Sequence, residues 1–184
     1  MLDRIQHNRW TGASLPCDVV DLEIRTLTPD DDLAGIGRLV VEGYRSLPDS
    51  PDDPEYYDEL ADVGARVERS VVFGAFDDGF AVGCVTYVAD EQSAYAEHML
   101  AGEASFRMLA VASSARGRGI GEALVRRCID DATGAGRTAL FIYSGSWMGG
   151  AHRLYGRLGF ERRADRDWLI DDPPLHLFGF WRAL

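Results

Sequence analysis

Leu22-Glu23-Ile24-Arg25-Thr26-Leu27 alternates apolar and polar residues, the period of a half-buried strand. Thr28-Pro29-Asp30 offers a capping residue and a proline near a helix start, and Leu33, Ile36, Leu39 and Val40 follow at helical spacing. Beyond a proline- and aspartate-rich loop from Pro48 to Pro54, the spacing of Tyr56, Leu60, Val63 and Val67 predicts one helix over 55–68. Val71 to Phe76 reads as a buried strand, Asp77-Asp78-Gly79 as a hairpin turn and 81–89 as the return strand. A less regular connector, 90–102, precedes a strand over 104–111. The clearest helix covers 119–132, where Ile120, Leu124, Cys128 and Ala132 recur every four residues and Gly134-Ala135-Gly136 ends the run. A strand over 138–143 and a helix over 151–158, stopped by Gly159, come next. Two strands, 160–170 and 175–182, close the chain across Asp171-Asp172-Pro173-Pro174. The order β-α-α-β-β-β-α-β-α-β-β predicts a mixed α/β domain. Residues 1–20 lack a clear period, so the expected division is an irregular extension over 1–20 and one domain over 21–184.

Composition narrows the functional classes. A chain of 184 residues suits one domain with a sizeable core. Its net charge of −11 opposes phosphate backbones, which argues against nucleic acid as a partner and favours cationic small molecules or basic peptides. No apolar run approaches the roughly 20 residues of a membrane helix. Met1 to Trp10 lacks the apolar core of a signal peptide, so no membrane partner and a cytoplasmic location are expected. Cys17, Cys84 and Cys128 are far apart and form no CxxC pair, which suggests neither a disulfide framework nor a metal knot.

The chemistry concentrates where the predicted strand ending Leu109-Ala110-Val111 runs through Arg116-Gly117-Arg118-Gly119-Ile120-Gly121 into the clearest helix. The first amides of a helix have no internal partners and sit at the positive end of its dipole. Glycines let a ligand approach them, which makes the passage a phosphate cradle, and Arg116 and Arg118 stand beside it with positive charge. No Lys-Ser or Lys-Thr follows the glycines, so a nucleotide P-loop is excluded. Glu122 or Leu124 falls where a dinucleotide fingerprint needs its third glycine.

Arg116-x-x-Gly119-x-Gly121 resembles the Gln/Arg-x-x-Gly-x-Gly/Ala motif of the GNAT (GCN5-related N-acetyltransferase) superfamily, and Leu109-Ala110-Val111 resembles that family's central strand. Ala151-His152-Arg153-Leu154-Tyr155-Gly156-Arg157-Leu158-Gly159-Phe160 is similar to its second signature, Ala-x-x-Leu-Tyr-x-x-x-Gly-Phe. The two stand in the family's order, and the likeness runs from about Leu22 to the C-terminus. It implies a mainly antiparallel sheet flanked by helices and an N-acetyltransferase. An acetyl group would pass from acetyl-CoA, as cosubstrate, to an amine on a small molecule or peptide within a ternary complex. Leu109, Ala110 and Val111 would pair with the pantetheine arm, the Val111 amide would polarise the carbonyl, and Arg116 to Gly121 would hold the pyrophosphate. No metal is implied, and the last strands are able to pair across a homodimer.

Tyr155 stands where the family keeps a general acid for the departing thiolate, and a phenol is protonated at neutral pH. A purely packing role beside Leu154 and Leu158 is the alternative. Glu103 is the candidate base. Period-2 counting puts it on one face with Ser105, Arg107, Leu109 and Val111, and its other reading is an exposed carboxylate at a strand end. Glu97 and His98 are further candidates. His152 is expected to face outward, and His7 and His176 have no partner at ligand spacing. Met148 occupies the place of a frequent family Asn, leaving Ser144 or Ser146 to replace that contact. The acceptor side would draw on Asp49, Asp52, Asp53 and Glu55 and on the aromatic C-terminus with Trp168, Phe178, Phe180 and Trp181. A non-catalytic acyl-CoA sensor or assembly module is the second functional reading.

Overall fold

A computed structural model of the chain describes residues 22–171 and 174–184. The irregular extension over 1–20, with His7 and Cys17, lies outside them. The first strand, β1 (Glu23–Thr26), leads into α1 (Leu33–Arg45). That helix begins later than Thr28-Pro29 suggested, because Asp32 caps it by accepting from the Gly35 amide at 2.8 Å. The single helix expected over 55–68 is two, α2 (Pro54–Ala61) and α3 (Val63–Arg69). Asp62 divides them: its amide closes α2 on the Asp58 carbonyl at 3.1 Å, and its carboxylate caps α3 at the Ala65 amide at 2.9 Å. Apolar periodicity carries across such a junction unbroken, which hides the boundary.

Strands β2 (Val71–Asp77) and β3 (Phe80–Val88) form the expected hairpin, with Asp78 and Gly79 both at positive φ. They are followed by β4 (Glu103–Val111), α4 (Ile120–Gly134), β5 (Ala139–Gly145) and α5 (Gly149–Arg157). The strand expected over 160–170 is broken into β6 (Glu161–Arg162) and β7 (Trp168–Asp171) by a 3₁₀ turn at Ala164–Arg166, and β8 (Pro174–Ala183) completes the fold. The sheet order is β1-β2-β3-β4-β5-β8-β6, with β7 also paired to β8. Only β4 and β5 run parallel; the other pairings are antiparallel. Helices cover both faces. Ile36, Val40, Leu60 and Val63 of α1 to α3 pack with Val72, Cys84, Met108 and Ala110, while Ile120, Leu124 and Cys128 of α4 and Tyr155 of α5 pack with Phe73, Val85, Phe106 and Ile142. No described helix is long and apolar enough to cross a membrane.

Two irregularities in the middle of the sheet create the site. Arg107 stands opposite Thr86, and Ala110 opposite Cys84, so three steps on β4 match two on β3. The extra residue is Met108, at φ 54. This bulge reverses the faces beyond it: Phe106, Leu109 and Val111 pack toward α4 and α5, and Met108 and Ala110 toward α1. The count that placed Glu103 and Arg107 on one face with Leu109 and Val111 is therefore corrected. The second irregularity is a splay. β4 and β5 pair only at Glu103 with Ala139 and Ala104 with Leu140, while β5 stays paired to β8 along its whole length.

Candidate functional site

The splay opens a cleft of about 1620 Å³. One wall is β4 from Phe106 to Val111. The floor and far side come from the turn Ala115 to Gly119, the first turn of α4, Tyr143 and Ser144 of β5, and Trp147 to Tyr155 around α5. Gly43, Tyr44, Leu47 and Pro48 close it from the α1 side.

Backbone groups dominate the chemistry of this surface. The Ala112 amide donates to Val82 on β3 at 2.9 Å. Strand alternation then turns the backbone groups of Val111 and Leu109 the other way, toward the open side where β5 has departed. At the end of this edge, Gly119 takes up left-handed backbone (φ 80, ψ 0) as the N-cap of α4 without a capping side chain. The Ala123 amide bonds the Gly119 carbonyl at 3.0 Å, so the amides of Ile120, Gly121 and Glu122 precede the first internal bond and border the cleft. Gly117 is also left-handed (φ 79); a Cβ there would meet nothing within 4 Å, so it is conformation and not crowding that requires glycine.

Arg116 and Arg118 line the cleft beside this turn, as expected from the sequence, and each side chain is also engaged by protein groups. Arg116 donates to the Gly43 carbonyl (2.9 Å), the Ser46 hydroxyl (2.8 Å) and the Val111 carbonyl (3.3 Å), pinning the last turn of α1 to the end of β4. Arg118 pairs with Asp77 of the β2–β3 hairpin at 2.8 Å. The cleft-lining arginines outside the described ion pairs that are also not spent as a cap are Arg153 and Arg157, on exposed positions of α5. They were not singled out from the sequence, although their i, i+4 spacing inside the second motif marks one helix face.

Tyr155 packs in the core and borders the cleft. Its ring packs against Phe106, Phe160 and Phe180 at centroid distances of 5.6–5.8 Å. The residue also lines the cleft. Its hydroxyl has no hydrogen-bond partner among the described residues. Burial, and secondarily the nearby Cys128, pushes its pKa well above that of a free phenol. The group thus stays protonated and able to donate.

Glu103 occupies neither of its expected places. It is 4% exposed, lies outside the cleft lining and is held by Arg166 at 2.6 and 3.0 Å and by the Leu100 amide at 2.8 Å. Arg166 comes from the 3₁₀ turn that interrupts the late strands, and its guanidinium covers the Phe141 ring at 3.4 Å. No local pattern in the sequence could bring residues 103 and 166 together. Glu97 binds Arg107, a cleft residue, at 2.6 Å, with Glu59 of α2 on the same guanidinium at 3.6 Å. His98 lies edge-on to both Trp168, at 4.6 Å between centroids, and Tyr143.

His152 turns inward, against expectation, and stacks on Phe178 and Phe180 of β8 at 5.5 and 5.0 Å. Burial lowers its pKa. His176 does find a partner, Asp167 at 2.9 Å. Met148 is the N-cap of α5, and its thioether sulfur accepts from the buried Ser144 hydroxyl at 3.6 Å, so the residue in the place of the family Asn meets one of its two candidate replacements. Among the described residues, no cluster of three His, Cys, Asp or Glu side chains is placed to hold a metal.

The geometry agrees with comparison to known proteins. No curated protein sequence gives a significant match. Among solved structures, a GCN5-related N-acetyltransferase from Kribbella flavida is 26% identical over 89% of this chain and 98% of its own, with a TM-score of 0.67. The PaiA N-acetyltransferase from Thermoplasma acidophilum, solved in complex with coenzyme A, shares the fold at 16% identity over 90% of this chain and 100% of its own, with a TM-score of 0.68. YncA from Salmonella typhimurium, a putative acetyltransferase solved with acetyl-CoA, does so at 20% identity over 89% and 94%, with a TM-score of 0.62. The model of the Acetyltransferase (GNAT) family matches residues 34–160, from α1 through the second motif and across the whole cleft, and the chain belongs to that family.

Proposed function

We propose that the chain moves an acetyl group from acetyl-CoA directly to an amine nitrogen within a ternary complex. The observation that carries this reading is the continuity of two backbone surfaces in one cleft, the β4 edge that β5 leaves open and the first turn of α4, although the Val111 carbonyl on that edge already accepts from Arg116. The open edge at Leu109 and Val111 supplies groups that can pair with an extended amide-bearing arm, as an added strand does. The uncapped first turn of α4 supplies amides and a positive dipole end for a pyrophosphate. Drug-sized ligands fill roughly 300–1,000 Å³. A cleft of about 1620 Å³ therefore suits a long cosubstrate together with an acceptor. The structural relatives bearing coenzyme A and acetyl-CoA support the same ligand.

The reaction makes a C–N bond as the C–S bond breaks. A β4 amide facing the splay, Val111 in the family-derived reading, would donate to the carbonyl oxygen as negative charge develops there. Tyr155 would give its proton to the departing sulfur. The acceptor nitrogen sheds its proton to water, since Glu103 is sealed by Arg166. Direct transfer is favoured over an acetyl-enzyme because Cys84 and Cys128 are fully buried. Burial raises the Cys84 thiol to about 11 and the Cys128 thiol well above its usual value, so neither supplies a ready thiolate.

Gly121→Glu tests the coenzyme site. A Cβ at Gly121 would make ordinary contacts with Leu154 and Val111 at 3.6 Å, so the fold should survive, while a carboxylate enters the cradle. Calorimetry should show coenzyme A affinity falling more than about tenfold. Unchanged affinity would remove the cradle from this turn. Thiol release from acetyl-CoA across a panel of amines then tests transfer: tight coenzyme binding without turnover on any amine would favour the sensor reading.

A further inference from the structure

Arg66 of α3 is 1% exposed and heads the fully buried side chains by volume. Among the described residues it forms no ion pair with a carboxylate. Its guanidinium donates to the Leu60 carbonyl at 2.7 Å, the Asp62 carbonyl at 3.4 Å, the Thr86 hydroxyl at 3.1 Å and the Met108 sulfur at 3.1 Å. The Cys84 thiol lies beside it. Burying a charge without an opposite charge costs several kcal/mol, and apolar residues of similar volume often serve a core as well or better. Packing alone therefore gives a weak reason for an arginine here.

Its partners give a stronger one. Met108 is the extra residue of the β4 bulge and holds a backbone conformation (φ 54) that side-chain-bearing residues seldom adopt. Thr86 pairs with Arg107, the last residue before that bulge. Leu60 and Asp62 provide the carbonyls where α2 gives way to α3. Arg66 thus ties the α2–α3 junction to the one place where β4 changes face. The bulge decides that Leu109 and Val111 present themselves as they do. The same α2 carries Glu59 to Arg107 in the cleft.

We infer that Arg66 is a positioning residue: without touching substrate, it holds the β4 bulge, through Met108 and Thr86, so that the amides beyond it meet the thioester carbonyl, and it ties that strand to the α2–α3 junction. The inference rests on the coenzyme reading above. A merely structural arginine would affect stability. A positioning one affects how strongly a bound carbonyl is polarised.

The test compares wild type, Arg66→Met and Arg66→Lys with [1-¹³C]acetyl-CoA and no acceptor. In wild type the carbonyl carbon resonance should move downfield on binding. Arg66→Met should keep coenzyme A affinity, set mainly at α4, within about threefold while losing at least about half of that displacement. Arg66→Lys restores one charge but not the planar fork and should fall between the two. Full displacement in Arg66→Met overturns the inference. If that variant does not fold, Arg66→Lys carries the test, and a wild-type resonance in it overturns the inference equally. Absence of coenzyme binding by wild type overturns the coenzyme reading, and the inference with it.

Discussion

At the scale of single residues, the structure makes the packing of Tyr155 compatible with the donor role proposed for it, two readings that sequence alone leaves in competition. Three phenylalanine rings fix its orientation, and the same burial keeps its hydroxyl protonated far into the alkaline range. The sign follows from the chemistry: the donor form of a phenol exists below its pKa, so raising that value extends the useful range upward. Tyr155→Phe keeps the ring packing and removes the proton. It should lower kcat on the order of 10²-fold while leaving coenzyme A affinity nearly unchanged. Wild-type kcat in that variant would return Tyr155 to the core. The wild-type enzyme should show no loss of kcat from this group up to about pH 10. The place of Tyr155 at the cleft was legible because its motif is local. The commitments of Arg116 and Arg118 were not: their partners Gly43, Ser46 and Asp77 lie some forty to seventy residues away, beyond any spacing rule.

At the scale of elements, the pattern of apolar residues located most helices and strands and missed their interruptions. Asp62 caps one helix while ending another, and the 3₁₀ turn at Ala164–Arg166 breaks a strand inside the charged run 161–167, which has no glycine or proline to mark the break. The bulge at Met108 had the largest consequence, since one unpaired residue reverses every later face of β4 and undoes the argument that put Glu103 beside Val111. Glu103 instead joins the start of β4 to the late 3₁₀ turn through Arg166. Glu103→Gln should leave the buried Arg166 charge poorly compensated and lower unfolding free energy by about 3 kcal/mol, read by urea titration. Turnover per folded molecule should be retained. The opposite result, intact stability with lost turnover, would make Glu103 the base after all.

At the scale of the whole molecule, charge is distributed unevenly around the cleft. The end of the cleft at α4, proposed to take the pyrophosphate, presents neutral amides, and Arg153 and Arg157 also line the cleft. The stretch from Ser46 to Ala65, which reaches the cleft at Leu47 and Pro48, contains Asp49, Asp52, Asp53, Glu55, Asp58, Glu59 and Asp62 and no basic residue. Asp53 and Asp62 are helix caps, so part of this charge has a structural origin. Its field nevertheless acts on whatever approaches, and the chain's net charge of −11 adds to it. A cationic acceptor is drawn to this side and an anionic one repelled. Ionic strength separates the two because the screening length contracts from roughly 20 Å to below 10 Å between about 0.02 and 0.2 M salt. The KM of a diamine acceptor should therefore rise several-fold over that range, with the KM of an uncharged or acidic amine flat or falling. Equal behaviour of all acceptors would show that the acidic flank only solvates the protein, and acceptor choice would then rest on the contacts of Arg107, Tyr143 and Trp147 within the cleft.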